Sequence, residues 1–170
     1  LVDLTGKPML LQHKTYPMPE DLRNTLQDII EHDNPNHPKV PETNIALGKV
    51  FAASVNALLQ QTDTPVESII AIGSHGQTIS HHPNDENPYS LQIGDPQIIA
   101  DKTGITTIAN FRAADIEAGG QGAPLAPLFH SAVLSHPDKN RAVINIGGIA
   151  NITLLNNQPL LGFDTGPGNA

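Results

Sequence analysis

Asp164 closes a short apolar run, Leu160 to Phe163, and opens the stretch Thr165-Gly166-Pro167-Gly168-Asn169, so a carboxylate is expected where a strand breaks into a glycine-rich loop. Strand ends of this kind carry ligands and chemistry in α/β proteins. Such a carboxylate could act as a general base, its pKa raised by partial desolvation, or hold a magnesium-bound water. It could equally cap the turn or the next helix. The segment Asn145-Ile146-Gly147-Gly148-Ile149-Ala150-Asn151 is the second feature. Its glycines could cradle a phosphate, because they bare amide donors to an oxyanion, or could simply be a hairpin turn between two apolar runs. It is not a Walker loop, having no Lys-Ser/Thr pair after the glycines and no helix directly behind them.

Two more polar loops follow apolar runs. In Gly73-Ser74-His75-Gly76-Gln77-Thr78, His75 could shuttle a proton, donate to a sugar hydroxyl, or serve as a structural hydrogen bonder. In Asn110-Phe111-Arg112-Ala113-Ala114-Asp115, Arg112 could clamp a substrate carboxylate, with a salt bridge to Asp115 as the default. If the preceding strands are parallel neighbours, these loops and Asp164 meet at one sheet edge. His81-His82 lacks the His-x3-His spacing of a helical zinc site, so both are expected to face solvent, and no protein-held metal site is expected.

The elements that must position these residues alternate along the chain. Leu1 to Leu11 reads as a hairpin around Gly6-Lys7-Pro8. Pro19-Glu20-Asp21 opens a helix carrying Leu22, Leu26, Ile29 and Ile30, and a longer one runs from about Pro41 to Gln61 with Leu47, Phe51, Val55, Leu58 and Leu59 on one face. Strands are expected at Glu67 to Ile72, Thr78 to His82, Tyr89 to Ile93 and Ile105 to Ala109, with Asp95 capping a short helix that begins at Pro96. Gly119-Gly120-Gln121-Gly122-Ala123-Pro124 reads as the most flexible stretch and could be a hinge between a first domain, residues 1–120, and a second, residues 121–170. A helix from about Pro124 to His136 should turn Leu125, Leu128, Phe129, Ala132 and Val133 inward. The pattern is α/β, with a mixed sheet flanked by helices.

Composition narrows the function classes. Nine Lys and Arg against 17 Asp and Glu give a net charge of -8 over 170 residues, a field that disfavours nucleic acid and anionic membranes and requires any phosphate to be held locally. With no cysteine there is no disulfide or thiol chemistry, and no apolar run approaches the ~18 residues of a membrane helix, so a cytoplasmic protein is expected.

The segments IGSHGQTI (Ile72 to Ile79), LQIGDP (Leu91 to Pro96), TGITTIANFRAADIEAGGQGAPLAPLFH (Thr103 to His130), INIGGIANITLL (Ile144 to Leu155) and GFDTGPGNA (Gly162 to Ala170) together resemble the 1,6-anhydro-N-acetylmuramic acid kinase family of cell-wall recycling. The resemblance implies an actin-like ATPase (ribonuclease H-like) fold of the sugar-kinase and Hsp70 type, in which two α/β domains close on a nucleotide. It implies a coupled reaction: water opens the 1,6-anhydro ring at C1 while O6 takes the γ-phosphoryl group of ATP, supplied with Mg2+. By motif, Asp164 is then the base that activates the water. His75, Gln77, Thr78, Asn110, Arg112 and Asp115 line the sugar pocket, and Asn145, Gly147, Gly148, Asn151, Gly166, Gly168 and Asn169 serve the nucleotide phosphates. The partners are the amino sugar and ATP, and a homodimer is suggested.

Two departures qualify the carry-over. Many members read DFRRRD where this chain has Asn110 to Asp115, so one acid and two arginines are replaced and Arg112 would serve a substrate carboxylate alone. The family's first phosphate loop, of MSGTSLDG type, would lie before Leu1 and about half the enzyme after Ala170, so this piece by itself is expected to be inactive. A silent sugar- or nucleotide-binding module of the same fold and an ATP-independent sugar hydrolase are the competing readings.

Overall fold

The computed structural model describes residues 1–155 and 159–169. Its strands are β1 (Val2–Asp3), β2 (Met9–Leu10), β3 (Ile72–Gly73), β4 (Gln77–His82), β5 (Tyr89–Ile93), β6 (Thr107–Ile108), β7 (Ala142–Ile146), β8 (Ile149–Leu154) and β9 (Leu161–Pro167). Its helices are α1 (Glu20–His32), α2 (Val40–Gln61), α3 (Pro96–Thr103), α4 (Phe111–Glu117) and α5 (Ala126–Leu134). The architecture is mixed α/β. The chain forms two compact units, one of Gln12–Gly122 and one of Leu1–Leu11 with the residues from Ala123 onward.

The core of the Gln12–Gly122 unit follows from helical and strand periodicity. Leu26 and Ile29 of α1 meet Leu47 of α2, Ile79 of β4 and Ile93 of β5, with Met18, Leu22, Val40, Phe51 and Leu91 packed around them. Burying each large aliphatic side chain is worth about 1.5–3 kcal/mol. Glu20 and Asp21 in the first turn of α1 complement its dipole, and the helix stops at Asp33, whose left-handed backbone sends its N–H to Ile30 O at 3.1 Å. Asp95 caps α3 as expected, accepting from the Gln97 and Ile98 amides, with Pro96 behind it. Asn44 of α2 ties down the turn before α3: its Oδ1 accepts the Gly94 N–H at 2.8 Å and its carbonyl the Asp95 N–H at 3.2 Å.

Strands β3 and β6 are parallel, Ile72 opposite Thr107 and Gly73 opposite Ile108, and Ser74 N–H extends the ladder to Ile108 O at 2.8 Å. This pairing sets the end of β3 beside the end of β6, so the loops at His75 and Asn110 meet as expected, whereas Asp164 belongs to a different sheet and does not share this edge. β4 and β5 form an antiparallel hairpin, Thr78 opposite Gln92 and His82 opposite Tyr89.

Three local expectations fail here. The strand expected over Glu67 to Ile72 is a 3-10 turn at Val66–Ser68, with strand only at Ile72–Gly73 and Ile70 almost fully exposed. Pro65 O accepts both the Ser68 N–H and its hydroxyl, so local turn chemistry outcompetes a ladder. The expected loop Asn110 to Asp115 is instead the start of α4, with Asn110 in the left-handed region at φ 59° just before it. His81 and His82 are half-buried rather than solvent-facing, because both join side-chain networks: His81 Nδ1 lies 2.9 Å from Ser90 Oγ and His82 Nε2 2.8 Å from Asp33 Oδ2.

The second unit holds the β1–β2 hairpin, α5 and the antiparallel sheet β7-β8-β9. β7 and β8 turn at Gly147-Gly148 as expected, with Ile146 opposite Ala150. β9 does not break after Phe163. It continues through Pro167 because β8 goes on pairing with it, around an irregularity that leaves Thr165 between the pairs Asn151–Asp164 and Ala150–Gly166. The expected inward stripe of α5 is also wrong: Leu128 is 71% and Phe129 57% exposed. Pro127 is the buried residue, set against Gly162, and His130 Nδ1 lies 3.0 Å from Thr153 Oγ1. A Cβ on Gly162 would collide with the Pro127 ring, which fixes where α5 crosses β9. Period 2 sets Ile144 and Ile146, Ile152 and Leu154, and Leu161 and Phe163 on the other face, where Ile144, Ile146, Leu161 and Phe163 remain exposed.

Candidate active site

In the Gln12–Gly122 unit, the parallel pair β3–β6 delivers Ser74 and His75 next to Ala109 and Asn110, and a small cleft there is lined by Asn44, Ser74, His75, Gln92 and Asn110 among others. His75 is held by both ring nitrogens. Arg112 Nε donates to its Nε2 at 2.8 Å, and its Nδ1 lies 2.9 Å from Gly76 O. An arginine Nε–H is always a donor, so Nε2 must accept and Nδ1 must carry the proton. Arg112 uses a second arm, Nη1, to donate to Gly122 O at 3.2 Å.

The expected Arg112–Asp115 salt bridge is absent among the described residues. Asp115 turns instead to the glycine stretch, where its Oδ2 accepts the Gly122 N–H at 2.7 Å and its carbonyl the Gly120 N–H at 2.8 Å. A Cβ on Gly120 would collide with the Asp115 carboxylate, so at this position the glycine stretch packs closely against that anion. Gln77 and Thr78 stand one strand register away: Gln77 Nε2 donates to Thr78 O at 3.1 Å, and Thr78 Oγ1 accepts from Gln92 Nε2 at 3.2 Å. Of the six residues read as a sugar pocket, His75 and Asn110 line the cleft, Arg112 touches it through His75, and Gln77, Thr78 and Asp115 are second to it. Asn44 and Gln92 line the cleft and were not singled out in the sequence, since neither sits in a glycine-bounded loop.

In the second unit the register aligns Asn145, Asn151 and Asp164 across β7, β8 and β9. Two carboxamides and a carboxylate therefore occupy one level of one sheet face, above Thr153 and Gly162, which α5 covers. Asp164 is exposed and lies within a strand, so the desolvation and strand-end placement expected for it are not present in this chain. Around the hairpin tip, Gly168 N–H donates to Gly148 O and Asn169 N–H to Gly147 O, each at 2.8 Å, while Gly147 N–H reaches Ile149 O at 3.3 Å. These three amides are engaged within the protein. A Cβ on Gly168 would meet the Gly147 carbonyl, so the end of β9 is clamped onto the tip. At Gly148 and Gly166 a Cβ would meet nothing within 4 Å, so no neighbouring atom crowds these two α-carbons.

The match that decides the family covers all of this. The family model described as anhydro-N-acetylmuramic acid kinase matches residues 1–170, both groups of residues included. The chain belongs to that family. An anhydro-N-acetylmuramic acid kinase of Shewanella denitrificans is 49% identical over 172 residues, covering 99% of this chain and 46% of that protein. One of Coxiella burnetii is 50% identical over 156 residues, 90% of this chain and 42% of the relative, and one of Photobacterium profundum 51% over 161 residues, 94% and 43%. The chain thus spans about half the length of the curated relatives it matches. The kinase family has the sugar-kinase and actin-like ATPase fold, with which the mixed α/β elements agree. No helix among the described residues is long and apolar enough to cross a membrane.

Proposed function

We propose that this chain is part of an ATP-dependent kinase that opens 1,6-anhydro-N-acetylmuramic acid with water and phosphorylates its O6, giving N-acetylmuramate 6-phosphate in murein recycling. The observation that carries the reading is the cross-strand row Asn145–Asn151–Asp164 beside the open hairpin tip, in a chain whose family match runs from end to end.

Asp164 is the general base. Its carboxylate takes a proton from water as the oxygen bonds to C1; the C1–O6 bond breaks, and O6 attacks the γ-phosphorus with ADP leaving. Asn151 stands opposite Asp164 in register, with Asn145 opposite Asn151 one strand further on, and the Asn151 amide N–H groups orient the water or the carboxylate. Magnesium-bound ATP supplies the phosphoryl group. The open glycines Gly148 and Gly166 admit its phosphates, while Gly147, Gly168 and Asn169 hold the tip that receives them. Most of the acceleration would then come from positioning and charge neutralisation, as is general for phosphoryl transfer.

The sugar is held at the His75–Asn110 cleft. Arg112 is the cation placed to receive a substrate carboxylate, and Gln77, Thr78 and Asp115 brace the surrounding backbone. The location is the cytoplasm. The test is a coupled ADP assay on a protein of the relatives' full length that carries this chain. ADP release that requires both the anhydro sugar and Mg-ATP supports the kinase. Sugar binding without ATP turnover would replace it with a silent binding module, and product formation without ATP with a hydrolase.

A further inference from the structure

Outside both groups of site residues, Asp28, His32 and His37 each bring one donor atom to within 4.8 Å of one another. Two facts of local structure produce the cluster. Asp28 and His32 stand four residues apart on α1, one helical turn above each other. The chain then reverses at Asp33, and a turn in which Asn34 O accepts the His37 N–H at 3.0 Å returns His37 to the helix end, with its ring centroid 5.4 Å from that of His32.

We propose that Asp28, His32 and His37 bind one divalent transition-metal ion of the zinc type, which clips the end of α1 to the turn leading into α2. Two imidazole nitrogens and a carboxylate oxygen are the donor set that borderline cations prefer, whereas magnesium and calcium call for oxygen alone. His32 Nδ1 lies 3.6 Å from Asp28 Oδ1, and His37 Nε2 3.9 Å from Asp28 Oδ2. Bonds of about 2.0–2.1 Å to a tetrahedral ion put donors about 3.3–3.4 Å apart. The gap is therefore closed by side-chain rotation: His32, 60% exposed, has room and gives up the 2.7 Å bond that its protonated Nδ1 now donates to Asp28 O, while His37 at 12% supplies the fixed donor.

The position favours a cation twice over, through the Asp28 charge and the negative end of the α1 dipole. A cation is already drawn there: Lys39 Nζ stands 2.9 Å from Asp28 Oδ2. Lys39 is half exposed and leaves when the metal enters, so metal and ammonium compete for one carboxylate. His37 Nδ1 now accepts the Lys39 N–H at 3.3 Å, so ligation through Nε2 moves the ring proton to Nδ1 and gives up that long bond. Water completes the fourth position. The Asp-x3-His-x4-His spacing straddles a helix end, which is why a search for helical His-x3-His spacing passes over it.

The test is titration of the untagged 170-residue chain with zinc ions by calorimetry, with cobalt ions as a spectroscopic probe. Saturable one-to-one binding is expected, with tetrahedral cobalt absorption and a rise in Tm. His32→Ala and His37→Ala should each weaken it roughly tenfold or more, His13→Ala should leave it unchanged, and Lys39→Met should tighten it. Circular dichroism on each variant separates lost binding from lost folding, and His32→Gln repeats the test with a milder change. No saturable binding, binding unchanged in either His variant, or Lys39→Met weakening rather than tightening would overturn the site.

Discussion

Arg112 Nε donates to His75 Nε2 at 2.8 Å, and this bond fixes the proton of His75 on Nδ1, where it faces Gly76 O at 2.9 Å. The pair joins the polar end of β3 to the first turn of α4, and the second arm of Arg112 carries the connection on to Gly122. His75 is thereby an acceptor already in use. A carboxylate that draws Arg112 away would return the Nε2 lone pair to the cleft.

The tautomer is directly measurable. Long-range proton–nitrogen correlation spectra of the His75 ring should show a bare Nε2 and a protonated Nδ1, and Arg112→Gln should release the preference. A protonated Nε2 in the unsubstituted chain would contradict the assignment.

Asp115 and the glycine stretch make a second prediction. Gly120→Ala drives a methyl group into the Asp115 carboxylate, and if the carboxylate retreats it leaves the buried Gly122 N–H without its 2.7 Å partner. Either way the cost is about 1–3 kcal/mol. Urea denaturation should show the lowered midpoint, and Gln121→Ala, next door and exposed, should show almost none.

The histidine pair in β4 sets a pH dependence. Burial, then the charges of Arg112 and His82, hold the His81 pKa below its usual 6.5. The folded chain therefore binds this proton less readily than the unfolded one. Stability from this source is present above about pH 6.5 and is lost as pH falls through the lower folded value. Asp33 acts further down: hydrogen bonds from Ser80 and then His82 hold its carboxyl below the usual 3.8, so its contribution is lost as pH falls through that depressed value. Urea midpoints measured against pH should fall in both windows, and His81→Gln should flatten the upper one alone.

What the sequence made legible were features with local causes. Asp95 and Pro96 mark the start of α3, the Gly147-Gly148 pair marks its hairpin, and Pro19-Glu20-Asp21 opens α1. The misses have non-local causes. Nothing within Leu160 to Asn169 says that β8 keeps pairing with β9 past Asp164, because that continuation depends on register with Ile149 and Ala150. The inward side of α5 was misread because a half-buried His130 and Pro127, not the leucines, meet the sheet. The Arg112–Asp115 salt bridge does not form because the partner of Asp115 is a backbone amide, which no residue type announces. The cross-strand row of Asn145, Asn151 and Asp164 was half legible: each residue was singled out, but only register places them at one level.

The measurement that bears most directly on the proposed chemistry is steady-state kinetics of Asp164→Asn in a protein of full family length, paired with calorimetry of sugar binding. The substitution keeps the shape and the β9 register but removes the base. The account predicts a fall in kcat of roughly 10²–10⁴-fold with sugar affinity nearly unchanged. A kcat retained at close to the unsubstituted value would remove Asp164 from the reaction and contradict the account.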